Sequence, residues 1–416
     1  MKISNIHSHL STLGLFLFLA LVSVGYATTN VASRFYIETS RMLLIIGVIL
    51  VIAIIAFGRI NRTQLISSIL LVAMLLYAVF ISFLSGSFAV GSINIVRDGL
   101  VVITGAFVFG MPRDLRIINS VANMYAVYVV IVLVVTVFVR GIDLGFLPRF
   151  SFEYSAGMLG SSIVYSQGIS KFFGLGVLIG VYLVVDSTGK YTKLLWFFFS
   201  LICLFLSIIG GARGDALAAI LVVVGFVTYK LKKKALPFFL ILGGLAFAVV
   251  EYWDDLAEQF VFFQRFAMLG RGDYGMRDVL FSEALTLLSD EPVCLIRGCG
   301  LGYFQYYYNY DFGLYPHNVF LESIITFGVP TVLILCILAY KGLKIYVKNI
   351  STIDFFILFF AMGIIIDLKS GYVFGNWLTM SMMMYFAGIG ISTLLKPHSP
   401  NRSALCIDHS NADRLS

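Results

Sequence analysis

Apolar residues along this chain gather into long uninterrupted runs, near 10–27, 42–57, 65–84, 93–110, 120–139, 169–186, 192–209, 214–229, 235–251, 318–340, 353–367 and 376–395. Written as helices at 1.5 Å per residue, such runs span roughly 30 Å of hydrocarbon. The pattern therefore predicts an all-α polytopic membrane protein with about twelve transmembrane helices. The polar segment 252–317 interrupts the series. It divides the chain into nine spans over 1–251, a large loop over 252–317, three spans over 318–395, and a polar tail over 396–416 that reads as disordered. Within the large loop, Met276–Ser289 reads as a surface helix, with Val279, Leu280, Leu287 and Leu288 among its apolar residues. The apolar N-terminal run from Leu13 to Val24 has the look of a signal peptide. It is read here as a retained first span, because the rest of the chain is equally apolar.

Composition supports the same class. Hydrophobic residues make up 60% of the chain and charged residues only 12%, with a mean hydropathy of +0.96. A soluble domain carries about 25% charged residues. The net charge of +7 sits largely in short loops, which makes it a topology signal and no argument for nucleic acid. The cluster Lys230, Lys232, Lys233 and Lys234 is the strongest cytoplasmic anchor. Threading the spans from it puts Arg59, Arg62, Arg113, Arg116, Lys190, Lys193, Lys341, Lys344, Lys348 and Lys396 on the same side. Both termini are then cytoplasmic. The large loop, a medium loop near 140–162 and the turn Gly210-Gly211-Ala212-Arg213-Gly214-Asp215 lie outside. Of the five cysteines, Cys294 and Cys299 share the large loop and are close enough to pair, with free thiols the favoured expectation.

Candidate chemistry collects on that outer side. His317 is the one histidine there, in Tyr315-Pro316-His317-Asn318. Proline disfavours helix for the residue before it, and a helix can begin just after. His317 and Asn318 then sit at a helix N-terminus, where free N–H groups favour an anion. Two readings stand side by side: a proton-transfer histidine, or a capping Asn with a bystander His. Arg213 lies in the Gly-rich turn, and Arg265, Arg271, Arg277 and Arg297 lie in the large loop. A guanidinium grips phosphate oxygens with a planar fork and keeps its charge, so such arginines suit a pyrophosphate. For any one loop arginine, headgroup or structural contact is an equal reading, whereas Arg213, pinned in a tight turn beside two spans, is read as functional. Arg97 and Asp98 fall inside the fourth span and must face the bundle interior or a wet cavity, as supporting or structural groups. Tyr303 and Tyr315, within a tyrosine-rich stretch, offer faces for stacking on sugar rings or for an interfacial belt. Gly298-Cys299-Gly300-Leu301-Gly302 follows no strand pattern and is no dinucleotide fingerprint. Metal-ligating side chains do not cluster outside, so no metal site is expected.

Several of these stretches resemble the O-antigen ligase and polymerase superfamily. They are Gly298-Cys299-Gly300-Leu301-Gly302-Tyr303-Phe304, Tyr315-Pro316-His317-Asn318, Leu321-Glu322 and Gly328-Val329-Pro330. The ligases carry His-Asn, nine residues, Gly, two residues, then Gly, Thr or Tyr. His317-Asn318, the nine residues ending at Phe327, Gly328 and Thr331 match this. Gly211-Ala212-Arg213-Gly214 resembles the family's Ser-Arg-Gly turn, with Ala212 where Ser is common. Arg265 and Leu269 have the spacing of the family's loop motif, and Arg277 is a rival. The resemblance implies a metal- and cofactor-independent GT-C type glycosyltransferase of lipopolysaccharide or exopolysaccharide biosynthesis in the bacterial inner membrane. Its donor is a glycan on undecaprenyl pyrophosphate at the periplasmic face, and its acceptor a glycan or lipid A–core. It also implies His317 and Arg213 as catalytic groups, Arg265 or Arg277 with Arg213 on the pyrophosphate, and Asn318 and Glu322 in support. Polymerase and ligase share these motifs. The alternative class is a transporter or flippase of lipid-linked oligosaccharide, which predicts charged residues along a central path and repeated halves. Arg97, Asp98 and Asp367 lie in or near spans, but no repeat is visible.

Overall fold

A computed structural model describes residues 3–27, 61–89, 92–110, 115–140, 153–155, 161–163, 166–209, 212–259, 276–310, 314–349, 354–370, 373 and 377–395, with residues 47, 263, 266–267 and 270. In chain order the helices are α1 (Ile3–Ala27), α2 (Arg62–Ser85), α3 (Ser92–Phe109), α4 (Leu115–Arg140), α5 (Ser166–Asp186), α6 (Lys190–Ile209), α7 (Arg213–Leu231) and α8 (Leu236–Glu251). They continue as α9 (Trp253–Gln259), α10 (Arg277–Asp290), α11 (Pro292–Ile296), α12 (Tyr303–Tyr308), α13 (Val319–Phe327), α14 (Val329–Asn349), α15 (Phe355–Ser370) and α16 (Trp377–Leu394). Between α4 and α5, β1 (Glu153–Ser155) pairs antiparallel with β2 (Ser161–Ile163), with Tyr154 opposite Ser162. This short pair lies in the medium loop, where no strand was expected.

The protein is an all-α membrane protein. Among the described residues six helices are long and apolar enough to cross a membrane: Arg62–Ser85, Leu115–Val134, Lys190–Ile208, Arg213–Leu231, Val329–Lys348 and Trp377–Leu394. The run 42–57 lies outside the described residues, apart from Gly47. Helix ends follow local chemistry. Asn61 caps α2 by accepting from the Gln64 N–H at 2.8 Å, while its own N–H donates to Gln64 Oε1 at 2.9 Å. Gly86 closes the same helix in the left-handed conformation.

Helix α16 is the centre of the bundle, packing against α14, α3, α2 and α15. It is 67% buried along its span, against 22% for α14, so α16 is surrounded by protein while α14 presents much of its surface outward. Backbones of these two helices meet closely at Gly342 and Gly390, where a Cβ would strike the Phe386 and Leu338 carbonyls. Asp98 is fully buried beside α16 and accepts from Trp377 Nε1 at 3.0 Å. That bond gives the intramembrane carboxylate a structural role.

The large loop has its own core. Leu280, Ala284, Leu287 and Leu288 of α10 pack with Cys294, Cys299, Phe304 and Ile325. The helix expected at Met276–Ser289 is thus present one residue later. Its buried face carries Leu280, Leu287 and Leu288, while Val279 is exposed. Cys294 and Cys299 are joined by a disulfide, which corrects the expectation of free thiols. The pairing follows from α11, whose single turn brings the two residues together; the Gly298 N–H donates to the Cys294 carbonyl at 3.1 Å.

The run 318–340, expected as one span, is two helices, α13 and α14, broken at Gly328. Gly328 has φ +80°, and a Cβ there would strike the Ile296 carbonyl and the Gly298 nitrogen. The loop docks on this break through Cys299 N–H to Ile325 O at 2.6 Å and Gly300 N–H to Thr326 O at 3.2 Å. It is also held by the end of α2, where the Ser85 hydroxyl donates to the Cys299 carbonyl at 2.7 Å and the Ser87 hydroxyl to the Leu301 carbonyl at 3.0 Å.

Candidate functional site

Four helix ends meet beside this loop and enclose a cleft of about 550 Å³. Its wall holds Arg213, Gly214 and Leu217 from the start of α7, and Arg277, Asp278 and Phe281 from the start of α10. Pro316, His317 and Asn318 come from the turn into α13, Leu368 and Lys369 from the end of α15, and Phe266 completes it. The direct packing of α7 on α15 and of α13 on α15 explains why residues so far apart in sequence converge.

Arg213 and Arg277 are each the first residue of a helix, and neither helix has a side-chain cap at its N-terminus. The first N–H groups of a helix lack intrahelical partners and carry the positive end of its dipole. Two guanidinium groups and two such ends bring positive charge to this side of the cleft, offset in part by Asp215 and Asp278 in the first turns of the same helices. The Gly-rich turn differs from the sequence reading in one respect: Gly214 and Asp215 belong to the first turn of α7, while Gly210 and Gly211 lie outside the described residues.

His317 stands in the left-handed region at φ +51°. That conformation is uncommon for a residue with a side chain, though histidine tolerates it better than most. It follows the buried Pro316 and precedes the extended Asn318 (φ −141°), so the chain turns sharply before the helix begins. Its ring lies 4.1 Å from that of Tyr315, centroid to centroid, and its Nδ1 is buried with no hydrogen-bond partner. Burial, followed by the charges of Arg277 and Lys369, lowers the imidazole pKa from the usual value of 6.5 to about 4. The ring is therefore neutral at pH 7, with one nitrogen a donor and the other an acceptor.

Asn318 is the cap of α13. Its Oδ1 accepts from the N–H groups of Phe320 at 3.0 Å and Leu321 at 3.1 Å. Its Nδ2 donates to the Leu368 carbonyl at 3.0 Å. The capping reading of Asn318 thus holds, and the same side chain ties His317 to the end of α15. Glu322, in the first turn of α13, accepts from the Val373 N–H at 3.3 Å and does not line the cleft.

Of the other sequence candidates, Arg265 and Arg271 lie outside the described residues, as does the side chain of Arg97. Arg297 is exposed, and its carbonyl accepts from the Tyr77 hydroxyl at 2.5 Å. Tyr303 packs with Tyr306 and Tyr307 at ring distances of 6.0 and 6.2 Å. Tyr315 backs His317.

The structure adds groups that the sequence reading did not assign. Lys369 lines the cleft. Behind it Asp215, only 3% exposed, interacts electrostatically with Lys369, Lys171 and Arg277, and Lys171 interacts with Asp367 and Asp215. A signal for Lys369 did exist. Threading leaves it at the outer end of the run 353–367, on the side where lysine is depleted. Among the described residues no group of three or more His, Cys, Asp and Glu side chains gathers as for a metal ion. No protein-family model matches the chain, and no curated protein matches it in sequence.

Proposed function

We propose that the protein is a membrane glycosyltransferase that moves an oligosaccharide from undecaprenyl pyrophosphate to an acceptor hydroxyl at the periplasmic face of the bacterial inner membrane. It acts as an O-antigen or exopolysaccharide polymerase, or as an O-antigen ligase. The observation that carries this reading is the convergence of Arg213, Arg277 and His317, separated by long stretches of chain, on one cleft. The cleft has two chemical characters, which suits a lipid-linked anion. Arg213, Arg277 and Lys369 supply positive charge, while Leu217, Phe281, Leu368 and Phe266 supply apolar wall. The disulfide in the large loop supports an oxidising, extracytoplasmic location for it. The twelve-span threading, with both termini cytoplasmic, is part of the same proposal.

The chemistry is one direct displacement. The acceptor oxygen forms a bond to the anomeric carbon, and the bond from that carbon to the phosphate oxygen breaks. The electron pair leaves with the pyrophosphate, and the configuration inverts. Arg213 and Arg277 stabilise charge growing on the leaving group. His317, neutral at pH 7, takes the acceptor proton. Arg277 and Lys369 weaken it as a base in the free protein. A bound pyrophosphate offsets those charges and raises its basicity when substrate is present.

Reconstituted protein given a lipid-linked oligosaccharide tests this. Transfer by the wild type, lost in Arg213→Ala and in folded His317→Ala, is the expected result. Full transfer by His317→Ala would eliminate its role as base. Deleting the gene in its host separates the two activities. A single repeat left on the core denotes a polymerase. Bare core with long chains held on undecaprenyl pyrophosphate denotes a ligase. An unchanged set of surface glycans would refute the enzyme reading.

A further inference from the structure

We infer that Lys369 is a specificity-determining residue of the cleft, a third cation that selects a diphosphate headgroup over a monophosphate. The inference rests on the cleft binding a lipid-linked phosphate, as proposed above. Lys369 lies in the last turn of α15 and faces the same space as Arg213 and Arg277.

Its place is prepared by the residues around it. A Cβ on Gly214 would collide with Nζ, Cε and Cδ of Lys369, so the lysine lies against the first turn of α7 where a side chain is missing. Asp215, the next residue, is buried and pairs electrostatically with Lys369. The Asn318–Leu368 hydrogen bond fixes the end of α15 to the start of α13, immediately beside both Lys369 and His317. The ammonium is thus placed by packing against Gly214 and by the charge of Asp215, while the Asn318 bond fixes the backbone one residue before it.

The charge pattern indicates what it holds. Three cations line the cleft against one lining carboxylate, Asp278, with the buried Asp215 set behind Lys369 and Arg277. A monophosphate concentrates its charge on one phosphorus, which two guanidinium forks can satisfy. A diphosphate carries more charge, spread over a second phosphorus. A compact ammonium on another wall suits that second group.

The test measures binding to the full chain in nanodiscs, with undecaprenyl diphosphate, undecaprenyl phosphate and inorganic pyrophosphate as probes. Wild type is expected to prefer the diphosphate lipid over the monophosphate by about tenfold or more. Lys369→Met should bring that ratio to within about twofold, while Arg213→Ala weakens both lipids. Gly214→Ala is the second variant. It keeps the lysine and favours the helix, yet displaces Nζ, so it should lose the preference in the same way. A preference retained in both Lys369→Met and Gly214→Ala would overturn the role of Lys369 and leave the anion cleft standing. Equal affinity for inorganic pyrophosphate and the diphosphate lipid would reassign the site to a soluble anion. Binding of none of the probes by wild type would remove the underlying reading itself.

Discussion

His317 offers the most direct check on the electrostatics of the cleft. An ordinary histidine, at the usual value near 6.5, is only about 10% neutral at pH 5.5. With its pKa at about 4, His317 is almost wholly neutral at the same pH. The acid limb of kcat/KM reports the essential base of the free enzyme. Transfer by wild type should therefore persist through pH 5.5 and fall only toward pH 4, if His317 is that base. The sign for variants follows from the causes. Arg277 and Lys369 disfavour the imidazolium, so Arg277→Gln or Lys369→Met should move the limb toward higher pH. Arg213 and Asp278 share the cleft and remain as the background charge. The limb in kcat should lie above that in kcat/KM, because bound pyrophosphate offsets both cations. The assay is transfer in nanodiscs across pH 4–8 at saturating and at low donor, with donor titration corrected by a phosphorus NMR curve. A wild-type kcat/KM limb at pH 6.5, unmoved by removing either cation, would refute this account of the site.

Three further outcomes follow from local geometry. Asn318→Ala removes the cap of α13 and the tie to Leu368, and should cost about 1–2 kcal/mol, read as a lower unfolding temperature and a higher KM. Gly328→Ala puts a side chain at φ +80° against the Ile296 carbonyl, so it should destabilise the docked loop by at least about 1–3 kcal/mol, seen as faster proteolysis within 276–310. Maleimide should label Cys294 and Cys299 only after reduction, and labelling of both in untreated protein would contradict the disulfide.

The membrane class and most helix positions were legible along the chain because transfer into hydrocarbon is a local property of consecutive side chains. The observed α2, α3, α5, α6, α7, α8 and α16 fall within about three residues of the apolar runs that predicted them. Pro316 and Asn318 act on backbone within a few residues, so the helix start at that point was readable too. The same locality explains why Arg213, His317 and Asn318 stood out, since each sits where a span meets a loop.

What tertiary structure decided is how those ends meet. Hydropathy makes 318–340 a single run, and although Gly328 and Pro330 offer a local break, only the structure shows the Ile296–Gly298 backbone packed against Gly328 where the run divides. The pairing of Cys294 with Cys299 needed the turn of α11. Lys369 stands out in sequence only by its place at the outer end of the run 353–367, and it enters the cleft because α15 packs on α7 and α13. Asp98 gains its meaning from Trp377, far along the chain, when α16 packs on α3. Apolar length is a sum over neighbours in sequence, whereas a site is a set of distances among non-neighbours, and those are set by how the helices pack.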